Sequence, residues 1–214
     1  EDKMYQKVAL VFFTVIFYTG CDNSKSKSKV SIEKTESIIL PKGEYQIDKT
    51  KSVVRWIGRT PVKFHDGTID IQEGNFSVDD NGILNGNIII DMESINCTDL
   101  SGGGKKSLEE HLMNDDFFSV NKFKTSKINI SSEMKPNNGL IDFKGSLEIK
   151  NISNPISFKS SINKTPEGKY TASSKLTFDR SMYNVKYKSK SFFDDLGDKF
   201  INDDIEIELE IITL

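Results

Sequence analysis

A strict alternation of apolar and polar side chains constrains the fold of this chain most. In the clearest run, residues 205–211, isoleucine and leucine occupy the odd positions and glutamate occupies the even ones. Successive side chains of a β-strand point to opposite faces, so this period predicts a strand with one buried and one wet face. Residues 141–149, 156–162 and 170–178 alternate in the same way. The sequence therefore predicts an all-β domain.

Earlier strands are predicted at residues 44–58, 68–78, 83–93 and 123–132, which brings the total to about eight. Short turn sequences separate several of them and favour antiparallel hairpins: Asp80-Asn81-Gly82, Asn137-Asn138-Gly139 and Pro166-Glu167-Gly168. A one-sided sheet must cover its apolar face and hide its edges. We therefore expect an eight-stranded antiparallel up-and-down barrel of about lipocalin size, with a two-sheet sandwich as the alternative.

The inward rows of the predicted strands carry small residues near their middle and large ones at their ends. The small residues are Gly86, Gly145, Ser160, Ala172 and Ser174. Small side chains there predict a hollow centre, and about eight strands are just wide enough for one elongated ligand. The alternative is that the glycines only permit the bends of barrel closure.

Helix is scarce in the sequence. Residues 105–113 predict a short amphipathic helix after a flexible glycine stretch at 101–104, and residues 192–200 predict a further turn. The segment 111–118 combines a histidine, two aspartates and two phenylalanines. Paired rings prefer burial and paired carboxylates prefer water, so this segment is expected at a boundary such as the mouth of a cavity.

Residues 1–21 differ from the rest of the chain in their pattern of charged and apolar side chains. Lys3 and Lys7 precede an apolar run at 8–17, which is short for a bilayer span, and small residues then lead to Cys21. Residues 1–20 therefore predict an export signal. The sequence Tyr18-Thr19-Gly20-Cys21 resembles the bacterial lipobox, which implies a signal peptide cut before a lipidated cysteine. A plain secreted protein and an uncleaved anchor helix are the alternatives.

A polar segment follows Cys21. Residues 22–29 contain no apolar side chain, and Ser and Lys alternate from residue 24 to residue 29, which is typical of a flexible tether. We divide the chain into a signal peptide at 1–20, a tether at 21–43 and a barrel domain at 44–214. If Cys21 is lipidated, Cys97 is left without a partner, so no intramolecular disulfide is expected. The predicted location is the bacterial cell envelope, with the membrane as a partner through Cys21.

Charge and motif content exclude some classes of function. The chain has 29 basic and 32 acidic residues, so it lacks the basic excess that would neutralise a phosphate backbone, and nucleic acid is not an expected partner. It contains no Gly-x-Ser-x-Gly, no His-Glu-x-x-His and no phosphate-binding glycine loop. We therefore expect no enzyme and no cofactor.

Ordered motifs along the domain carry a resemblance to a known family. They are Tyr45-x-Ile47-Asp48, His65-x-Gly67, Asp91-Met92-x-Ser94-Ile95, His111-Leu112-x-x-Asp115-Asp116-Phe117-Phe118, Gly145-x-Leu147-x-Ile149-x-Asn151-Ile152-x-x-Pro155-Ile156, Phe178-x-Arg180-Ser181-x-Tyr183-Asn184-Val185 and Asp203-Asp204-Ile205-Glu206-Ile207. From about residue 45 to 212 the chain resembles the YceI-like proteins, exported bacterial barrels of lipocalin-like shape. The resemblance implies a long apolar ligand, such as an isoprenoid quinone or polyprenyl phosphate, and no reaction. Departures from the family pattern are Lys51, Asn184 and the loop at 100–106.

Candidate ligand-contacting residues combine aromatic walls with a few polar groups. They are Trp56, Phe64, His65, Phe76, His111, Phe117, Phe118, Phe143, Phe158, Phe178, Arg180 and Tyr183. An inward Arg180 requires an anionic or carbonyl partner, either an internal carboxylate such as Asp48 or Asp116 or a ligand oxygen. As alternative functions, His65 and His111 with an aspartate predict a metal or catalytic site, and a ligand-free structural or stress lipoprotein is a third class. The sequence leaves the oligomeric state open, including a homodimer.

Overall fold

The computed structural model describes residues 38–214, so the predicted signal peptide, most of the tether and the lipidation at Cys21 lie outside the described residues. The described part is mostly strand with one α-helix. Its elements are β1 (Gly43–Gln46), β2 (Val53–Arg59), β3 (Phe64–Val78), β4 (Ile83–Cys97), α1 (Gly102–Met113), β5 (Thr125–Glu133), β6 (Pro136–Asn137), β7 (Leu140–Ile149), β8 (Ile152–Lys164), β9 (Tyr170–Asp179) and β10 (Asp204–Ile212), with short 3₁₀ turns at Arg180–Tyr183 and Gly197–Lys199.

The strands form a closed antiparallel barrel, which confirms the predicted fold class. Strands β2, β3, β4, β5, β7, β8, β9 and β10 each pair with the next, and β10 pairs with β2 to complete the ring of eight within residues 38–214. The two remaining strands are short: β1 pairs with the far half of β3, and β6 pairs with the start of β7. The continuous ring excludes the sandwich alternative, because a sandwich has two separate sheets with free edges.

The predicted first strand at 44–58 is interrupted at residues 47–52. The carboxylate of Asp48 accepts hydrogen bonds from the hydroxyl and the backbone N–H of Thr50 at 2.6 and 3.2 Å. Such a local side-chain bond competes with the strand ladder and turns the backbone, so β1 and β2 are separate strands. Both remain on the same side of β3.

The predicted turns join neighbouring strands as expected. Their glycines have φ angles of 72° at Gly82, 77° at Gly139 and 87° at Gly168. These values lie in the left-handed region, where side chains with a Cβ are strained, so glycine is the residue that such tight turns need.

Helix α1 begins at Gly102, three residues earlier than predicted, so the glycine stretch forms its first turn instead of a flexible hinge. Two hydrogen bonds attach α1 to the end of β4. The carboxylate of Glu109 accepts from the N–H of Cys97 at 2.8 Å, and the ammonium of Lys105 donates to the side-chain oxygen of Asn96 at 2.6 Å. No helix within residues 38–214 has the length and apolar content needed to cross a membrane.

The strand directions define two ends of the barrel. We call the end that carries α1, the β2–β3 turn and residues 180–203 the mouth, and the end that carries the turns at 79–82, 134–139 and 165–169 the floor. The core is formed by inward aliphatic and aromatic side chains between these ends.

Candidate ligand-binding site

The inside of the barrel is hollow near the mouth. This upper cavity has a volume of ≈ 170 Å³. Its wall is made of inward aliphatic and aromatic side chains from β2, β4, β5, β7, β9 and β10, including Ile90, Met92, Ile128, Leu147, Leu176, Ile205 and Ile207. Because nearly every group that faces the space is a hydrocarbon, the cavity suits an apolar guest.

Residues of the mouth surround the entrance to the upper cavity. Leu108 and Leu112 reach it from α1, Ile201 reaches it from the β9–β10 connection, and Thr60 and Lys63 reach it from the β2–β3 turn. The entrance thus combines apolar side chains with the hydroxyl of Thr60 and the ammonium group of Lys63.

A second, smaller space lies nearer the floor. This lower cavity has a volume of ≈ 70 Å³. Phe76, Phe143 and Phe158 border it, and the rings of Phe143 and Phe158 lie 5.6 Å apart. The ring of Tyr45, which does not border the cavity, stacks on Phe76 with the centroids 5.0 Å apart. Leu40 borders it at the floor, together with Ile47, Tyr170 and Thr213.

The structure places nine of the twelve candidate residues on a cavity wall. Those of the upper cavity are Trp56, His65, Phe117, Phe118, Phe178 and Arg180, and those of the lower cavity are Phe76, Phe143 and Phe158. The other three line neither space. The Phe64 side chain is outside the barrel with 51% of its surface exposed and lies under the guanidinium of Arg59, while His111 and Tyr183 pack behind the wall.

The small inward residues have two different reasons for being small. Gly86, Ser160, Ala172 and Ser174 border the lower cavity, as a hollow interior requires. Gly145 borders neither cavity: a Cβ at this position would collide with the carbonyl oxygen of Asn129 on β5. Gly145 is therefore small because the β5 backbone lies close to it, and not because the interior is hollow there.

Arg180 is satisfied by the protein itself. Its guanidinium is 99% buried, with only 1% of the residue exposed, and donates to the carbonyl oxygens of Val185, Ile201 and Asn202 at 3.1–3.2 Å. Nη2 also lies 3.1 Å from a carboxylate oxygen of Asp203. The suggested partners Asp48 and Asp116 were wrong, because the 3₁₀ turn after β9 directs Arg180 toward the β9–β10 connection. Its donors therefore tie that connection to the barrel.

His65 belongs to a hydrogen-bonded cluster at the mouth. Its Nδ1 lies 2.8 Å from one carboxylate oxygen of Asp99, and the thiol of Cys97 donates to the other at 3.1 Å. Burial alone would raise the pKa of Asp99, but the hydrogen bonds from Cys97, His65 and the N–H of Asp66 together lower that pKa below its usual range. Burial raises the pKa of the Cys97 thiol, so this cysteine stays protonated and unreactive.

His111 anchors the segment after α1. Its Nε2 lies 3.1 Å from a carboxylate oxygen of Asp116, and its ring meets the rings of Phe117 and Tyr187 edge-on at 5.0 and 4.6 Å. The two histidines therefore bind different carboxylates. No group of three or more His, Cys, Asp or Glu residues within 38–214 is arranged to hold a metal ion.

The sequence did not identify the aliphatic side chains of the upper cavity wall, nor Leu40 beside the lower cavity. Ile90, Ile128 and Leu176 carry no signal that distinguishes a cavity wall from a packed core, since both need the same inward period. Leu40 was assigned to the tether, because the alternation that marks the domain begins only after it.

Comparisons with known proteins agree with this architecture. The model of the YceI-like domain family matches residues 45–213. The crystal structure of BcnA from Burkholderia cenocepacia is similar with a TM-score of 0.61, 17% identity, and coverage of 78% of this chain and 99% of that chain. A polyisoprenoid binding domain from Saccharophagus degradans, implicated in plant cell wall breakdown, is similar with a TM-score of 0.56, 11% identity, and coverage of 79% and 97%. A comparison with curated proteins gives no match. At these identities the solved structures show a shared fold, and the match to the family model over most of the sequence shows that this chain belongs to the YceI-like family.

Proposed function

We propose that this protein is a non-enzymatic carrier that binds one long apolar chain, such as an isoprenoid quinone or a polyprenyl phosphate, inside its barrel. The observation that carries the proposal is the hydrocarbon-lined upper cavity, which opens at the mouth between α1 and the β2–β3 turn. A cavity of this kind lowers the packing density of the core and therefore the stability of the fold. Binding of a ligand in the cavity offsets that cost. The polyisoprenoid-binding relative from Saccharophagus degradans gives further support.

The size of the cavity limits the kind of guest. At ≈ 170 Å³ the upper cavity is smaller than the roughly 300–1,000 Å³ of pockets for drug-sized ligands. A slender, flexible hydrocarbon chain suits it better than a fused ring system. The polar head of such a lipid would remain at the rim, beside Lys63 and His65.

The direct test is to identify what the purified protein carries. Mass spectrometry of an organic extract is expected to find an isoprenoid chain, and an added prenol is expected to raise the melting temperature, because a ligand that binds only the native state stabilises it. An extract free of lipid, together with a melting temperature that no prenol changes, would instead favour a ligand-free structural role.

A matched pair of variants tests the location of binding. Ser126 faces the upper cavity, whereas Ser131 is exposed on the same strand, β5. Ser126→Phe fills much of the cavity and is expected to weaken prenol binding at least tenfold at a stability cost of about 1–3 kcal/mol. Ser131→Phe should leave affinity unchanged in the same titration. Equal affinity in both variants would show that the prenol binds elsewhere.

The export and anchoring of the protein are part of the proposal. We expect cleavage before Cys21 and lipidation of this cysteine, since the sequence before it resembles a lipobox. Labelling cells with a radioactive fatty acid should mark the wild-type protein, and Cys21→Ser should remove the label and move the protein to the soluble fraction. A soluble, unlabelled wild-type protein would contradict this part.

A further inference from the structure

Leu40 lies outside the residues that match the family model, yet it is part of the barrel interior. Only 3% of its surface is exposed, and its side chain forms the base of the lower cavity. Two hydrogen bonds hold the backbone around it: the N–H of Ile38 donates to the carbonyl of Ile162 at 2.9 Å, and the hydroxyl of Tyr45 donates to the carbonyl of Pro41 at 2.7 Å. Leu40 therefore has a defined position at the floor of the barrel.

The two cavities follow each other along the same inward rows. On β4 the lower cavity is bordered by Ile88 and the upper by Ile90; on β10 the corresponding neighbours are Leu209 and Ile207. Inward residues two apart on a strand are separated by only about 7 Å. One layer of side chains thus divides the cavities.

That dividing layer consists of side chains that can change rotamer. Isoleucine and leucine contribute to it from β4, β5, β9 and β10. Within the described domain, the residues that border the upper cavity and those that border the lower cavity are different. A chain that enters from the mouth has to displace these side chains before it reaches the lower cavity.

We propose that Leu40 is the end stop of the binding channel and sets the longest isoprenoid chain that the barrel encloses. The inference rests on the proposed function and assigns a specificity-determining residue to it. A chain inserted through the mouth crosses the dividing layer, fills the lower cavity and ends against Leu40. A longer chain leaves its last units outside the mouth in water, where they contribute nothing to affinity.

The neighbouring Ile39 provides a matched control. Its side chain is 56% exposed and borders neither cavity of the described domain, while it is the same size as Leu40. Leu40→Ala enlarges the lower cavity, so that the barrel encloses more of a long chain. Leu40→Phe places a larger group in the lower cavity and shortens the channel. Ile39→Ala should change neither.

The experiment measures dissociation constants of the full chain for farnesol, geranylgeraniol and solanesol, which contain three, four and nine isoprene units. For the wild type and Ile39→Ala, affinity is expected to stop rising between geranylgeraniol and solanesol. Leu40→Ala should gain at least tenfold for solanesol relative to farnesol, and Leu40→Phe should lose at least tenfold for geranylgeraniol relative to farnesol. Melting curves establish that each variant is folded.

The outcomes separate the end stop from the proposed function. Suppose that prenols bind the wild type, and that every folded variant at position 40 has the same length preference as the wild type. The end stop is then overturned, while the carrier function stands. If Ile39→Ala changes the preference as Leu40→Ala does, the end stop is also overturned. If no prenol binds the wild type, the proposed function itself fails.

Discussion

At the scale of single residues, the mouth is organised by polar groups that the protein satisfies internally. Arg180 binds three backbone carbonyls and Asp203, and Asp99 binds both His65 and Cys97. Burial lowers the pKa of Arg180, and the nearby carboxylate of Asp203 opposes this effect. These groups hold loops in place around an apolar opening, so we expect their loss to affect stability more than ligand chemistry.

Arg180→Met is expected to destabilise the fold by about 3–5 kcal/mol, because it leaves three carbonyl groups without their donor and removes the cation beside the carboxylate of Asp203. Urea unfolding measures the change. Arg55 supplies the control: it is exposed on β2, and Arg55→Met should alter the free energy of unfolding by no more than about 0.5 kcal/mol. Equal effects of the two substitutions would contradict the structural role of Arg180.

Asp99 predicts a pH dependence of stability with a defined sign. Because its pKa is lowered on folding, its carboxylate stabilises the native state above the unfolded pKa of about 3.9, and this contribution is lost as the pH falls through the folded pKa. Asp99→Asn should therefore destabilise the protein at pH 7, and the difference from wild type should shrink below about pH 4. Urea titrations at several pH values measure it; a difference that grows on acidification would refute the prediction.

At the scale of elements, strands and helix differ in how completely local sequence specifies them. The strands follow the period-two pattern, and their ladders leave no unpaired edge in the ring of residues 38–214. Helix α1 instead begins with three glycines, a poor helix-forming sequence, and is attached to β4 by Glu109 and Lys105. Its start therefore depends on tertiary contacts.

Substitution of the helix glycines tests this view. No atom lies within 4 Å of a Cβ added at Gly104, so Gly104→Ala should stabilise the protein by about 0.5–1 kcal/mol. At Gly102 the φ angle is 58°, so Gly102→Ala should destabilise it through backbone strain. Thermal unfolding compares the two variants, and the same sign for both would contradict the assigned start of α1.

At the scale of the whole molecule, the two ends of the barrel are built from different elements. The side chains that border the entrance come from α1 and the two neighbouring connections, whereas short hairpin turns surround the floor. Binding at the mouth should therefore reduce the motion of some segments and leave others unchanged.

Hydrogen exchange with bound farnesol tests this asymmetry. Exchange of amides in α1 is expected to slow on binding, because Leu108 and Leu112 border the upper cavity. Amides of the turn at 79–82, at the floor, should exchange as they do in the free protein. If the turn at 79–82 were protected and α1 were not, the entrance would be at the floor and not at the mouth.

The period-two pattern predicted the strands and the closed ring because each strand must bury one face, a local property of the sequence. It did not predict the break at Asp48, where a side-chain hydrogen bond competes with the ladder. Nor did it find the partners of Arg180, since residues 185, 201, 202 and 203 reach it only through the folded β9–β10 connection.

The sequence by itself determined an all-β barrel with apolar inward rows, because alternation and turn residues act over a few positions. Only the tertiary structure decided which inward side chains leave space and which pack. It alone placed Phe64 outside, Gly145 against a neighbouring strand and Leu40 at the floor of the barrel. A cavity is the volume left between residues distant in the chain, so no local pattern can specify it.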